Sequence, residues 1–174
     1  MSSLKPCVDA LYEGVDSVAG RIPEMPRSEV LLVRLLMLTA GALLRDFESK
    51  LKPHGMNDSD FRTLMMLYCA EDGSATPGEL CLLAEQKPTN MTRIANALAK
   101  RDFISRSHAT HDRRQVLLRI TAAGRRFVSK LLPPMFPPLV ASFACFSPAE
   151  RTTFERLLKK LALHIDSVDT DACP

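Results

Sequence analysis

The sequence predicts a mainly α-helical chain with one small β-hairpin, and three observations predict it. Apolar residues recur at i, i+3 and i+4 along several segments of the 174 residues. From Ile104 to Ile120 the period drops to two: Ile104, Arg106 and His108, then Val116, Leu118 and Ile120, alternate with other side chains as strands do. Just before that hairpin stand two short helices joined by a tight turn at Gln86-Lys87. Helix, turn, helix and hairpin in this order make a winged helix-turn-helix lobe, and the helices toward both termini add a dimerisation region.

Residues 1–24 mix Pro6, Gly14, Gly20 and Pro23 with a short apolar pattern (Val8, Leu11, Tyr12, Val15, Val18), which predicts a mobile arm with one short helix. Residues 25–56 hold a long helix that starts near Ser28 and runs to about Lys52. Leu31, Leu35, Leu38, Ala42 and Arg45 follow one side of it, while Val33, Leu36, Met37, Ala40 and Leu44 occupy others. Burial is therefore expected nearly all round, and the simplest cover is a second copy of the chain.

The lobe spans residues 57–121. Pro53-His54-Gly55 stops the long helix, and Asn57 caps the next, with Asp58 and Asp60 favourable to the dipole of its first turn. Its expected core is Phe61, Leu64, Met65, Leu67 and Tyr68. Thr76, Pro77 and Glu79 form a capping box for the following helix, whose core stripe is Leu80, Leu83 and Ala84. A second helix begins near Pro88 and turns Met91, Ile94, Ala95, Leu98 and Ala99 inward. Thr89, Asn90, Thr92, Arg93 and Asn96 are left outward, with no acid before Asp102. Short hydrogen-bonding side chains and one arginine suit base edges and phosphates in a major groove, where an ordinary solvated face mixes Glu with Lys. The hairpin tip bears Arg113 and Arg114, which suit a minor groove, and Asp112 can orient Arg114 through a charge-assisted bond.

Residues 122–166 carry the C-terminal dimerisation helices. Thr121 caps the first, with Phe127, Val128, Leu131 and Leu132. Pro133-Pro134 and Pro137-Pro138 are expected to kink or break it. Ser147-Pro148-Ala149-Glu150 is another capping box, opening a helix with Phe154, Leu157, Leu158, Leu161 and Ile165, and residues 167–174 read as a disordered tail.

Charge concentrates where the lobe needs it. From Gln86 to Arg126 there are ten Lys or Arg against Asp102 and Asp112, a net of +8, in a chain whose total is +3, so the remainder carries −5. A basic block in an otherwise acidic chain is the footprint of a polyanion-binding surface. The longest apolar run, Val30 to Leu44, is interrupted by Arg34 and short for a bilayer, and no export signal opens the chain, so a cytoplasmic protein with no membrane partner is expected. Five cysteines at irregular spacing, without C-x-x-C, fit reduced thiols. No phosphate loop, metal-binding helix motif or nucleophile elbow is present, which argues against an enzyme and against a cofactor. His108 and His111 form an H-x-x-H pair across a strand and wing tip, without a set of carboxylates or thiols to complete a site, so no metal site is predicted.

Thr92-Arg93, Leu98-Ala99-Lys100-Arg101, Ile104, Arg106, Asp112-Arg113-Arg114 and Ile120-Thr121-Ala122-Ala123-Gly124 resemble the MarR family of bacterial transcription regulators. The resemblance covers roughly residues 24 to 165 and, through Glu29 to Leu35, Gly55-Met56-Asn57 and Leu131-Leu132-Pro133-Pro134, is nearest the multidrug-efflux repressors of the MprA/EmrR type. It implies a homodimer on a pseudo-palindromic operator in double-stranded DNA, with DNA contacts from Thr89, Asn90, Thr92, Arg93, Asn96, Asp112, Arg113 and Arg114.

The same resemblance implies repression of efflux or stress-response genes, released by a small aromatic or phenolic effector. Arg34, the one charge inside the apolar helix, could meet an effector's carboxylate or phenolate, with His54, Met56, Phe61 and Met65 lining the same crevice; a structural ion pair or a snorkelling side chain is the plainer account of Arg34. Two alternatives stand beside this reading. One is a thiol-based redox sensor of the same fold, against which Ser28 to Leu38 lacks a cysteine and Cys69 and Cys81 read as inert packing groups. The other is a helical interaction adaptor that leaves the basic face unexplained.

Overall fold

The computed structural model describes residues 3–84, 86–108 and 116–171, without the side chains of residues 166 and 168–171. The chain divides into two units, Met1–Ile120 and Thr121–Pro174.

The expected mobile arm is instead a four-turn helix, α1 (Lys5–Ala19), packed along α2 (Arg27–Leu51). Val15 is buried, and Arg27 pairs with Asp16 at 2.5 Å, fixing where the chain reverses. Gly14, which weakened the helical pattern in the sequence, faces open space and costs only its backbone freedom. In α2 only Leu51 is buried within one chain; Leu32, Val33, Met37, Leu43 and Leu44 are exposed, so the all-round burial expected from the sequence is not achieved by a single copy.

A short 3₁₀ turn (Lys52–His54) ends on Gly55, which adopts φ 61, the left-handed region that glycine enters without steric penalty. Asn57 then caps α3 (Asp58–Cys69), its side chain accepting from the Asp60 backbone N–H at 2.8 Å. Phe61, Leu64 and Leu67 are buried as expected, whereas Met65 and Tyr68 are half-buried and Cys69 is exposed, so Cys69 is not a packing group.

The sheet has three strands where the period-two pattern implies two. β1 (Ser74–Ala75) pairs antiparallel with β3 (Val116–Ile120), which pairs with β2 (Ile104–His108), giving the order β1-β3-β2. Two residues are too few to show a period. Arg119 anchors the added strand by donating to the Asp72 carbonyl at 2.7 Å. Asp72 is itself held below its usual carboxylate range by side-chain and backbone hydrogen bonds from Ser74, and further by Arg119.

The capping box predicted for α4 (Pro77–Leu83) is present: Glu79 N–H donates to Thr76 Oγ1 at 3.2 Å and Thr76 N–H to Glu79 Oε2 at 2.7 Å. These bonds hold the Glu79 carboxyl below its usual range. Leu80 and Ala84 are buried, but Leu83 is 62% exposed; at about 100° per residue it stands a full step around the helix from Ala84, off the side that Leu80 and Ala84 share. With α5 (Pro88–Lys100) the lobe closes on Leu51, Leu64, Leu67, Leu80, Met91, Ile94, Leu98 and Leu118, each contributing about 1.5–3 kcal/mol by burial.

In the second unit Thr121 caps α6 (Ala122–Leu131) by accepting from Gly124 N–H at 3.0 Å. The two proline pairs behave differently. Pro133-Pro134 converts the helix to a 3₁₀ turn (Pro133–Met135), as expected of a break. Pro137 and Pro138 instead fall in the first turn of α7 (Phe136–Ser142), where a missing N–H leaves no helical bond unmade. The Ser147/Glu150 capping box opens α8 (Pro148–Asp171), at 2.8 Å and 3.3 Å, and its hydrogen bonds depress the Glu150 carboxyl. Helix continues through Asp171, past the start of the expected tail.

Candidate nucleic-acid interface

α5 carries the candidate reading face, and its amphipathic pattern positions it. Met91, Ile94, Ala95 and Leu98 fix one side of the helix in the lobe's core. Thr89, Thr92, Arg93 and Asn96 are thereby exposed, with Asn90 half-buried at the margin. Thr92 Oγ1 donates to the Pro88 carbonyl at 3.1 Å, which fixes its rotamer and leaves the oxygen lone pairs able to accept.

Arg93 is not a free cation. Its Nε donates to Asn90 Oδ1 at 2.9 Å, and its Nη2 lies 3.3 Å from Asp60 Oδ1 on α3. The Asp60 side chain is only 10% exposed, while that of Arg93 is half-exposed, so the pair runs from the core margin to the surface. Asn90 Nδ2 donates in turn to Gln86 Oε1, and Gln86 Nε2 to the Ala84 carbonyl at 3.0 Å.

On the far flank, Arg106 of β2 donates from Nη2 to Asn96 Oδ1 at 2.5 Å. The strand is thus pinned to the reading helix. Arg106 is exposed and belongs to the face; the family resemblance includes it, but only the fold sets it beside Asn96. Other cations of the basic segment serve the fold: Arg101 donates to the Gly55 carbonyl at 3.3 Å and lies 4.4 Å from the Phe103 ring centroid, and Arg119 holds Asp72. Lys87 and Lys100 remain exposed at the two ends of α5. The wing residues Asp112, Arg113 and Arg114, with His111, lie outside the described residues.

The candidate effector residues do not converge within one chain. Arg34 lines two cavities between α1 and α2, one of about 470 Å³ with Cys7, Leu11, Met37, Leu38 and Arg45, the other of about 360 Å³ with Val15, Val18 and Val30. Met56 and Phe61 are buried beyond the far end of α2, Phe61 edge-on to Phe47 at 5.1 Å; His54 is exposed and Met65 half-buried. Arg34 and Leu51 alone are separated by about 25 Å of helix, at 1.5 Å per residue. Arg45, three turns after Arg34 on the same side of α2, is the second cation of the larger cavity. Among the described residues no cluster of His, Cys, Asp and Glu could hold a metal ion, and no helix is long and apolar enough to cross a membrane.

The MarR family model matches residues 56–116, from the start of the lobe into β3. The transcriptional repressor MprA of Escherichia coli (strain K12) is 34% identical over 153 residues, 88% of this chain and 87% of that protein. The chain belongs to the MarR family. It is a transcriptional regulator, not an enzyme. MarR-family structures share its fold. A mutant MarR from E. coli complexed with operator DNA aligns with a TM-score of 0.67 at 24% identity, covering 82% of this chain and 96% of that one. Bordetella bronchiseptica BpsR, whose DNA binding is regulated by 6-hydroxynicotinic acid, aligns at 0.65 and 22%, covering 75% and 98%.

Proposed function

We propose that this MarR-family regulator binds a pseudo-palindromic operator in double-stranded DNA as a cytoplasmic homodimer and represses efflux or stress-response genes until a small aromatic or phenolic ligand releases it. The observation that carries the reading is the outer face of α5: Thr89, Asn90, Thr92, Arg93 and Asn96 stand together on one helix, flanked by Arg106 and free of exposed acids. Residues 57–121 would read the DNA, with Arg113 and Arg114 at the minor groove. Residues 25–56 and 122–166 would dimerise, setting two lobes about 34 Å apart to meet successive major grooves.

The E. coli repressor named above supports repression, and regulation of BpsR by an aromatic acid supports an anionic aromatic effector. Arg34 and Arg45, lining one cavity with apolar walls, are the cations available to it on α2. A ligand that prefers the misfitting lobe spacing tenfold shifts the equilibrium by about 1.4 kcal/mol per site. The test is selection of bound fragments from genomic DNA, followed by a salt-controlled mobility-shift assay with and without salicylate. A shifted fragment that is released by the aromatic acid supports both halves. Absence of duplex binding even at low salt refutes the regulator reading, and binding indifferent to aromatic acids refutes the effector.

A further inference from the structure

We propose that Asp60, on α3, is a positioning residue for base reading: it holds Arg93, and through Arg93 fixes which way the Asn90 amide faces, so that Asn90 presents one donor and one acceptor to the major-groove edge of adenine. This rests on the assignment of α5 as the reading helix.

A guanidinium has donors only. The atom of Asn90 that faces Arg93 Nε at 2.9 Å must therefore be oxygen, which turns Nδ2 toward Gln86. Gln86 must then offer its own oxygen, which leaves its Nε2 to donate to the Ala84 carbonyl, as it does at 3.0 Å. Every amide in the row has a single allowed orientation, which the Ala84 carbonyl requires at one end and Arg93 at the other, where Asn90 stands. Reversing Asn90 would bring an NH₂ against an N–H.

Arg93 in turn needs an anchor, since its side chain is half-exposed and long. Asp60 supplies one from the core margin, with Oδ1 3.3 Å from Nη2. Asp60 is itself held on the capped first turn of α3, its backbone N–H bonded to Asn57. Among the described residues no buried side-chain polar atom lacks a partner. Asn90 spends one N–H and one lone pair inside the row and keeps one of each for a ligand. That remaining pair complements adenine N7 and N6. A second consequence follows from charge: with Asp60 against it, Arg93 adds little net positive charge to the face, so the residue contributes geometry more than phosphate attraction.

The test compares wild type, Asp60→Leu, Asp60→Asn and Asn90→Ala in the full-length protein. Each is scored on a randomised duplex library and on a fixed non-specific duplex across a salt series, with melting curves for each variant. Wild type is expected to select adenine at one position of each half-site. D60L is expected to lose that preference by on the order of tenfold, as loss of a bidentate base contact does. It should retain the other positions and steepen the salt slope by about one, because the released Arg93 can take a phosphate. D60N keeps an acceptor for Nη2 and should recover most of the preference. If D60L does not fold, Asp60→Ala carries the same expectation. Loss of the preference in N90A with its retention in the Asp60 variants overturns the positioning role alone. Unchanged sequence preference in N90A overturns the reading face itself, and the proposal with it.

Discussion

Arg106 Nη2 on β2 lies 2.5 Å from Asn96 Oδ1 on α5, joining an edge strand of the sheet to the exposed side of the reading helix. The bond takes one lone pair of the Asn96 carbonyl and turns its NH₂ away from the guanidinium, the rest of which stays at the surface. Arg106→Ala is therefore expected to weaken binding to any duplex and to lower the magnitude of the log K against log salt slope by about one. Arg106→Lys should restore the slope but not the sequence preference contributed by Asn96, because an ammonium lacks the planar fork. A mobility-shift series at several salt concentrations, on selected and scrambled duplexes, measures both. An unchanged slope in R106A would place Arg106 off the DNA.

Gly55 ends the turn after α2 at φ 61, and a Cβ built there meets nothing within 4 Å. Any cost of substitution is therefore backbone strain, not collision. Gly55→Ala is expected to destabilise the chain by about 1–2 kcal/mol, or roughly 2–8 °C in melting temperature for a chain of this size. Gly55→Asn should lose less, since asparagine tolerates the left-handed region. Equal melting temperatures for wild type and G55A would show that the turn can relax out of that conformation.

Contrasts like this one explain which parts of the molecule the sequence could reveal. Signals confined to four or five residues were legible: the Thr76/Glu79 and Ser147/Glu150 boxes, the Asn57 and Thr121 caps, and the stop at Gly55 each depend on near neighbours and stand where the spacing predicts. The inward and outward sides of α5 were legible because one period runs through thirteen residues. What joins distant segments was not. Asp60 and Arg93 are 33 residues apart, and in the sequence Asp60 serves equally well as a first-turn acid for α3. Arg106 belongs to the motif that resembles the family, yet its partner Asn96 appears only when β2 is laid beside α5. α1 was obscured because Pro6, Gly14 and Gly20 suggest an irregular arm, although Pro6 lies in its first turn and Gly20 at its end, where helices accept them.

The Thr76/Glu79 box makes the stability of α4 depend on pH in one direction. Hydrogen bonds from Thr76 hold the folded-state pKa of Glu79 below its usual 4.5. The unfolded chain binds the proton more readily, so the contribution is fully present above about that pH and is lost as pH falls through the lower folded value. Thr76→Ala removes the hydroxyl that accepts from Glu79 N–H and donates to its carboxylate, leaving only the backbone half of the box. It is expected to lower the melting temperature by roughly 2–4 °C at neutral pH, the usual scale for one lost cap. The gap to wild type should narrow in acid. Melting curves from neutral pH down to about pH 3, below the unfolded carboxylate range, test this, and a gap that widens in acid contradicts the assignment.

Much of α2 is left uncovered by its own chain. Val33, Met37 and Leu44 fall within about 40° of one another around the helix, at 100° per residue, and all three are exposed, Met37 by 63%. Met37 also reaches the rim of the α1 cavity that Arg34, Leu38 and Arg45 line, but Val33 and Leu44 do not line it and all three stay largely exposed, so α1 leaves most of the stripe uncovered. An apolar stripe of this length left in water favours association, and a second copy of the chain presents the same stripe for a two-fold contact. Met37→Glu sets a carboxylate in the middle of it. Sedimentation should give the mass of two chains for wild type and a concentration-dependent shift toward one chain for M37E. The folded lobe should persist by circular dichroism, because Met37 is remote from Leu51 and the core beyond it. Operator affinity should then fall by at least about tenfold while binding to a single half-site is unchanged, since only the linkage between two lobes has been removed. A monomeric wild type, or M37E as dimeric as wild type, would rule out this stripe as the contact between copies.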